Sequence, residues 1–304
     1  MNMNRKTLNN FEGCLLGGAV GDALGAPVEF MSLEEITDRF GPEGIGEFIP
    51  AYGKIGAITD DTQMTLFTAE GLILSRTRKA VDPSADHVPL SVYHAYLRWL
   101  STQDRSVANE MITQHGTCSM IDGILIGFRE LHATRAPGNA CLSSLKSGVM
   151  GTLQHPINNS KGCGGVMRIA PVGLVEPSDR VFDTACQIAA ITHGHPTGYL
   201  AAGCLAQIIG EIMSGHDLLT ATLAARRTLE DRKNHNECTR ALVKAQDAWK
   251  HKPVSFETVA SIGQGWVAEE ALAIGVYCAL VAGSDFQKGI TLAVNHGGDS
   301  DSTG

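Results

Sequence analysis

The sequence lacks an excess of basic residues and any long apolar run, and each absence excludes a class of protein. Its 304 residues carry 24 Lys and Arg against 32 Asp and Glu, a net charge of -8. Nucleic-acid binding through broad electrostatics needs a basic face, so we expect no nucleic-acid partner. No apolar run reaches the ~18 residues of a membrane span. The longest, Ala271 to Gly283, predicts a buried helix, and we expect no membrane partner.

The sequence also lacks paired cysteines. Its eight cysteines are scattered, and none forms a CxxC pair. This spacing disfavours a zinc site or a disulfide scaffold, and it is typical of a reduced cytoplasmic protein in which Cys acts as a small hydrophobe. Arg5 and Lys6 precede a short apolar stretch, but no clear cleavage site follows, so we expect no signal peptide.

What the sequence does contain is apolar residues in helical periodicity. Apolar residues make up 43% and charged residues 18%, which excludes disorder for most of the chain. The periodicity predicts a compact, single-domain, all-α bundle over residues 1–304. A weak strand is predicted over Glu47 to Tyr52 and a surface loop over Arg76 to Pro89. The predicted helices include the turns around Phe11 and Met64 and the stretches Leu90 to Leu100, Met120 to Leu131, Val181 to Ile191, Gly198 to Met213, Leu218 to Glu230, Glu237 to Trp249, Ala268 to Leu280 and Phe286 to Asn295.

Four junctions rich in Gly or Asp interrupt the helices, and the first runs from Gly17 to Glu29. Its small residues favour close helix packing or close approach to a ligand. It is not a GxGxxG motif in a βαβ setting, so a dinucleotide fold is not supported. If close helix packing is the reason for these small residues, Asp22 and Glu29 are ordinary polar residues near a helix end.

The second junction places two carboxylates side by side. Thr59 or Asp60 is a good helix N-cap, and Asp60 with Gln63 resembles a capping box. Capping does not explain Asp61, because adjacent carboxylates repel each other unless a cation intervenes. A hydroxyl with carboxylates is a hard oxygen donor set suited to Mg²⁺ or Mn²⁺.

The third junction, Asn159 to Arg168, is a glycine-rich loop. It fails the dinucleotide fingerprint at Met167, and it has no GKS or GKT of a P-loop. Such a loop can still present backbone N–H groups to a phosphate. A plain turn explains it equally well.

The fourth junction, His296 to Gly304, brings Asp299 and Asp301 among hydroxyl residues. A calcium loop would need a Glu at its twelfth position, and a DxDxT phosphatase motif would need an α/β domain after it; neither is present. A polar tail is the remaining alternative, but an apolar stretch that starts at Ile290 favours a helix that delivers these carboxylates to the interior. The second and fourth junctions together supply ligands for two metals bridged by shared carboxylates.

At this point the sequence resembles the ADP-ribosylglycohydrolase family, which includes dinitrogenase-reductase-activating glycohydrolases and ADP-ribosyl-arginine hydrolases. Five motifs in order along the chain carry the resemblance: Gly13 to Glu29, Thr59 to Thr62, Gly162 to Arg168, Thr192-His193 and Gly297 to Gly304. It implies an all-α bundle with a central binuclear Mg²⁺ or Mn²⁺ site. In relatives the chain continues past the last motif into a further helix, so we expect this sequence to be truncated or unusually short.

The resemblance also implies residue roles. The metal ligands it implies are Thr59, Asp60, Asp61, Asp299, Asp301 and Ser302. The substrate-binding residues it implies are Asn159, Ser160, Lys161, Gly162, Gly164 and His193, and the catalytic set is Glu29 (on a flap over the site), Asp60, Asp61 and Asp301. Trp266 either stacks on adenine or lies in the core. We interpret His195 as structural.

The implied activity is hydrolysis of the N-glycosidic bond between ADP-ribose and an arginine side chain of a protein, with Asp60 or Asp61 accepting a proton from water. Two alternatives stay open. The chain could bind an ADP-ribosylating toxin or its target as an immunity protein, or it could hydrolyse O-linked ADP-ribose on serine or a small metabolite.

Overall fold

Helices form nearly all of the regular structure, which confirms the all-α prediction. The computed structural model describes residues 5–82, 88–104, 113 and 123–304. Within these ranges, no helix has the combined length and apolar character that a membrane crossing requires. The helices are α1 Leu8–Gly25, α2 Leu33–Phe40, α3 Asp60–Val81, α4 Val88–Gln103, α5 Asn139–Lys146, α6 Ala170–Val175, α7 Val181–Ala190, α8 Pro196–Met213, α9 Leu218–Glu230, α10 Asn236–His251, α11 Phe256–Ile262, α12 Ala268–Ala282, α13 Phe286–Val294 and α14 Ser300–Thr303.

The sheet content in the described ranges is one short hairpin. Strands β1, Pro50–Ala51, and β2, Lys54–Ile55, pair antiparallel, with Pro50 opposite Ile55. The predicted strand from Glu47 to Tyr52 therefore shrinks to two residues. A tight turn at Tyr52-Gly53 reverses the chain, and both turn residues have positive φ.

Two other predictions were wrong at their bounds. The predicted loop from Arg76 to Pro89 is helical at both ends, because α3 continues to Val81 and α4 begins at Val88. The predicted helix from Met120 to Leu131 is instead two 3-10 turns, Leu125–Gly127 and Arg129–Leu131, in the part the structure describes. Residues 120–122 lie outside the described residues. Glycines at 123 and 127 lower the helix propensity of this stretch.

The principal core lies between α3, α4, α7 and α8. Its buried side chains include Phe67, Tyr96, Trp99 and Leu200. A buried ion pair joins α3 to α4: Arg98 donates through Nε and Nη2 to one oxygen of Glu70 at 2.9 and 2.7 Å. Removing either partner would leave an unpaired buried charge, so both side chains are needed where α3 packs on α4.

Helix α14 packs against the end of α1, and glycines allow the approach. A Cβ placed on Gly25 would overlap the Ser300 carbonyl, and one on Gly21 would overlap the Gly304 backbone. By contrast, a Cβ on Gly13 or Gly18 would meet no described atom within 4 Å. The predicted close helix packing is thus real at the C-terminal end of α1, and it brings Asp299 and Asp301 next to Asp22.

Candidate metal and substrate site

The first wall of the site is the N-terminus of α3. Thr59 is its N-cap: the Asp61 N–H donates to Thr59 Oγ1 at 3.3 Å, and the hydroxyl donates to Asp61 Oδ2 at 3.4 Å. The suggested capping box does not form, because the Gln63 side-chain oxygen accepts from Trp99 Nε1 at 3.0 Å and the Asp60 N–H donates to the Arg135 carbonyl at 3.2 Å. Capping by Thr59 leaves the carboxylates of Asp60 and Asp61 in the first turn, where the partial positive charge of the helix end favours them.

Asp22, at the end of α1, braces this wall. Its two carboxylate oxygens each accept from the Thr59 N–H at 2.9 Å. The Thr62 N–H donates to the same carboxylate at 3.1 Å, and the Thr62 hydroxyl donates as well. Asp22 is almost completely buried. It is therefore a structural carboxylate of the site rather than the ordinary polar residue that the sequence suggested.

The second wall is α14 with the turn after α1. One carboxylate oxygen each of Glu29, Asp299 and Asp301 lie within 4.8 Å of one another, and all three residues are buried. Cys163 donates its thiol to Asp299 Oδ2 at 2.7 Å. The Ser302 N–H donates to Asp301 Oδ1 at 3.0 Å. The carboxylates of Glu29, Asp299 and Asp301 thus converge on one point.

Six buried carboxyl groups act on one another across the site. Burial raises the pKa of all six above their ordinary values: Asp22, Glu29, Asp60, Asp61, Asp299 and Asp301. For Glu29, Asp60, Asp61 and Asp301, repulsion from neighbouring carboxylates raises the pKa further. For Glu29, burial and the charges of Asp299 and Asp22 raise the pKa to about 8. Without a cation, the site therefore favours protonated acids.

The residues fit a divalent cation. Glu29 Oε2 and Asp61 Oδ1 are buried and have no hydrogen-bond partner among the residues that the structure describes. Buried carboxylate oxygens without partners are costly unless a cation or water binds them. The donors are hard oxygens, the type that Mg²⁺ and Mn²⁺ prefer.

The glycine-rich loop borders this cluster and is held in place by backbone bonds. Cys163 N–H donates to the Trp266 carbonyl at 3.2 Å, and Ala268 N–H donates to the Lys161 carbonyl at 2.9 Å. Asn158 fixes the other side: its Oδ1 accepts from the N–H groups of Ser160 and Gly194, both at 3.0 Å. The loop is therefore a fixed part of the site.

Lys161 is engaged away from the loop's open face. Its Nζ donates to Glu269 at 2.6 Å and to Glu237 at 3.0 Å. These bonds, chiefly the one to Glu269, raise the pKa of Lys161. The ammonium is thus neutralised by two carboxylates and ties the loop to α10 and α12.

His193 lies beneath the loop glycines. A Cβ on Gly164 would approach its ring to 2.8 Å, so only glycine fits there. Its Nδ1 is 2.8 Å from the Thr192 hydroxyl, to which the buried Arg168 also donates at 2.6 Å. Burial, and then the Arg168 charge, lowers the pKa of His193 to about 3, so the ring is neutral. His195 is the N-cap of α8 and accepts from the Thr197 N–H at 3.1 Å, a structural role.

Aromatic side chains border the site on its solvent side. Trp266 stacks on Phe30 with ring centroids 5.7 Å apart and planes 18° from parallel. Both are exposed, so the alternative that placed Trp266 in the core is wrong. The stack joins the turn that carries Glu29 to the segment that pairs with the glycine-rich loop.

Comparisons with known proteins identify the family. Residues 3–304 match the protein family described as ADP-ribosylglycohydrolase. The chain belongs to the ADP-ribosylglycohydrolase family. An uncharacterised protein of Archaeoglobus fulgidus is 28% identical over 304 aligned residues, covering 96% of this chain and 83% of the relative. The ADP-ribosyl-[dinitrogen reductase] glycohydrolase of Rhodospirillum rubrum is 26% identical over 300, covering 96% and 81%.

A solved structure supports the fold. An ADP-ribosylglycohydrolase-related protein complex superposes with a TM-score of 0.63 at 24% identity, over 99% of this chain and 84% of the other. Family membership confirms the resemblance seen in the motifs. It makes the chain a hydrolase of a metal-dependent family that removes ADP-ribose from proteins.

The structure places further residues beside the candidate site that the motifs did not predict. Asp22 was interpreted as an ordinary polar residue, and Asn158, Cys163, Phe30 and Tyr52 were not singled out. Cys163 and Asn158 lie in or beside the glycine-rich loop, so their positions in the sequence were a usable signal. Phe30 follows Glu29 directly. Tyr52 had no sequence signal, because only the hairpin brings it to the site.

Proposed function

We propose that this glycohydrolase cleaves the N-glycosidic bond between ADP-ribose and an arginine side chain, using two Mg²⁺ or Mn²⁺ ions. The observation that carries the proposal is the buried cluster of six carboxyl groups with unpartnered oxygens on Glu29 and Asp61. Two supports point to protein-linked ADP-ribose. The loop from Asn159 to Gly164 resembles the arginine-directed branch of the family, and the Rhodospirillum rubrum relative is named for an ADP-ribosylated protein.

The residues that would hold the cations come from both walls: Thr59, Asp60, Asp61, Asp299, Asp301 and Ser302, with Glu29 close enough to join them. When bound, the cations supply positive charge for the ribose diol and lower the pKa of water. Two cations would also neutralise part of the mutual repulsion that raises the carboxyl pKa values.

The substrate would lie over the glycine-rich loop. Gly162, Gly164, Ser160 and Asn159 would contact the diphosphate and distal ribose, with His193 as the neutral floor. Lys161 would act by fixing the loop, because its ammonium is already paired with Glu237 and Glu269. The exposed ring of Trp266 would stack on adenine.

The chain's own acids would carry the proton transfers. Asp61 is the better placed base, since Oδ1 has no other partner in the described residues. It would accept the proton of the water that attacks the ribose C1 as the C1–N bond to the protonated guanidinium breaks, and it would pass that proton to the neutral guanidine that leaves. Glu29 would orient the diol. Asp60 and Asp301 complete the catalytic set, because their carboxylates would stabilise the positive charge of the bound cations.

The test is release of ADP-ribose from arginine-linked and serine-linked substrates side by side. We expect faster turnover of the arginine substrate, and loss of roughly a hundredfold or more in Asp61→Asn or Asp301→Asn. Asp217→Asn is the matched control, because Asp217 caps α9 by accepting from the Thr220 N–H. Preference for the serine substrate would reassign the linkage, and full activity in excess chelator would contradict the metal-dependent mechanism.

The immunity alternative has less support. None of the relatives described above is named for toxin immunity, and an intact acidic cluster favours turnover over sequestration. Tight binding of a transferase by the metal-free chain would be the result that favours it.

A further inference from the structure

A buried guanidinium lies behind the glycine-rich loop. Arg168 is completely buried, and its guanidinium carbon lies 4.3 Å from the centroid of the Tyr96 ring. Nη1 donates to the sulfurs of Met64 and Cys141, both at 3.4 Å, and Nη2 donates to Thr192 Oγ1 at 2.6 Å. Nε has no hydrogen-bond partner in the described ranges. Neutral acceptors thus surround a charge that proteins seldom bury without a carboxylate partner.

The Thr192 hydroxyl lies between this charge and His193. Oγ1 is 2.6 Å from Arg168 Nη2 and 2.8 Å from His193 Nδ1. A guanidinium can only donate, so Oγ1 accepts from Arg168. The hydroxyl keeps its own proton to donate, and His193 Nδ1 lies within hydrogen-bond distance to accept it. A neutral imidazole that accepts at Nδ1 carries its proton on Nε2.

The Nε2 atom of His193 faces the glycine-rich loop. A Cβ built on Gly164 would lie 3.1 Å from Nε2, and one built on Gly162 would lie 3.5 Å from it. Both positions are glycine, so no side chain from either covers this edge of the ring. The hydrogen bond that the ring forms within the described ranges is the one at Nδ1. A proton on Nε2 is therefore available to a ligand that binds over the loop.

We propose that Thr192 and Arg168 are positioning residues: they fix the tautomer of His193, so that Nε2 donates a hydrogen bond to a diphosphate oxygen of the ligand on the loop. The buried guanidinium favours an anion here, because hydrogen bonds in series polarise one another in a medium of low dielectric constant. Neither positioning residue touches the ligand. The tautomer follows from the hydrogen bonds alone, whereas the choice of a diphosphate ligand rests on the proposed function.

The tautomer is measured by NMR on metal-free protein labelled with ¹⁵N in its histidine rings. The signals of the ring at position 193 are those that His193→Gln lacks. We expect the proton on Nε2 in the wild type and in Thr192→Ser, which keeps the hydroxyl. In Thr192→Val, which keeps the shape but loses the hydroxyl, we expect a mixture of the two tautomers. A threonine that only packs against the ring would leave the tautomer unchanged.

Ligand affinity is measured by titrating ADP-ribose, and separately ADP, into protein saturated with Mg²⁺. We expect Thr192→Val to bind both about tenfold more weakly, the loss of one hydrogen bond to a charged group, and Thr192→Ser to stay within about twofold of the wild type. Turnover in Thr192→Val should fall through KM, with kcat nearly unchanged, because the diphosphate takes no part in bond cleavage. In the wild type, the signal of the Nε2 proton should shift when ADP is added.

The matched control is Thr222→Val. Thr222 is also completely buried, but its hydroxyl donates to the Leu218 carbonyl within α9 at 2.8 Å. This variant removes the same chemical group from a helix that forms no wall of the site. It should keep both the His193 tautomer and the wild-type affinities for ADP-ribose and ADP.

A proton on Nδ1 in the wild type overturns the proposal, even if Thr192→Val does not fold. So does an unchanged tautomer in Thr192→Val, an equal loss of affinity in Thr192→Ser and Thr192→Val, or an Nε2 signal that ADP does not shift. Weaker binding of ADP-ribose alone would contradict the diphosphate as the acceptor. If the wild-type chain neither binds ADP-ribose nor turns over either substrate, the proposed function fails, and the tautomer still decides the role of Thr192.

Discussion

Asp22 shows how a residue outside the predicted ligand set governs the site. Its carboxylate accepts both the Thr59 and Thr62 N–H groups, so it fixes the turn that presents Asp60 and Asp61. Groups that orient ligands are often worth as much to metal affinity as a ligand itself.

We predict that Asp22→Asn lowers the Mn²⁺ affinity of the metal-free protein about 10- to 100-fold. The amide has one acceptor oxygen, whereas both oxygens of the carboxylate accept from backbone N–H groups. Isothermal titration measures this. Asp217→Asn makes the same change at the exposed N-cap of α9, which forms neither wall of the site, and should leave the affinity unchanged. Equal affinities in wild type and Asp22→Asn would show that Asp22 does not hold the turn.

Among individual residues, the sequence predicts those that stand beside another residue of like charge. Asp60 beside Asp61, and Asp299 near Asp301, are chemically conspicuous because like charges repel. Asp22 is a lone carboxylate, and only the docking of α1 onto α3 gives it donors. Lys161 was expected to bind substrate, but its two carboxylate partners lie on α10 and α12, which no local pattern connects to the loop.

Among the helices, the contact between α1 and α14 sets the positions of Asp299 and Asp301. Gly25 packs on the Ser300 carbonyl, directly before Asp301, so the spacing of the two helices depends on a missing Cβ.

We predict that Gly25→Ala destabilises the protein by about 1–3 kcal/mol through overpacking, and weakens Mn²⁺ binding because α14 is displaced. Gly13→Ala is the matched control on the same helix. No described atom lies within 4 Å of its added Cβ, so it should stabilise the helix by up to about 1 kcal/mol. Chemical denaturation measures both. A Gly25→Ala protein as stable as Gly13→Ala would contradict the close approach.

Most helices could be predicted from periodicity because their apolar faces are buried in one core. Helix α9 begins and ends at the predicted residues. The last turns of α3 were missed because they are polar and exposed. Arg78 and Lys79 there complement the helix C-terminus, which stabilises a helix without an apolar pattern. The hairpin was missed in part because its turn is made by Tyr52, a residue that turn statistics disfavour.

At the scale of the whole molecule, the fold buries six carboxyl groups together, where their ionised forms are unfavourable. Asp22, Glu29, Asp60, Asp61, Asp299 and Asp301 all have raised pKa values in the metal-free fold, chiefly through burial. In the unfolded chain they ionise near their ordinary values. For Glu29 the folded state therefore keeps a proton, which the unfolded state has released, between pH 4.5 and about 8.

We predict that the metal-free protein loses stability as the pH rises from about 7 to about 8.5, because the unfolded state binds fewer protons there. The buried His193 and His296 have lowered pKa values, chiefly through burial, and act in the opposite sense, but mainly below their ordinary 6.5. Thermal midpoints with chelator should fall across this range, and excess Mn²⁺ should remove the fall. Glu29→Gln should make the chelated profile flatter. A stability that does not change with pH in chelated wild type would contradict the raised pKa of Glu29.

The pairing of distant parts of the chain has a consequence for how the protein forms. The Ile45 N–H donates to Asn295 Oδ1 at 2.7 Å, and the two residues are 250 positions apart in the sequence. The aspartates of α3 and α14 meet across a similar separation, and contacts between such distant residues close slowly because the loop entropy must be overcome first. We therefore expect the cluster of six carboxyl groups to form among the last events of folding. A cation that binds there would slow unfolding and leave the folding rate nearly unchanged. It would bind only molecules that have completed folding.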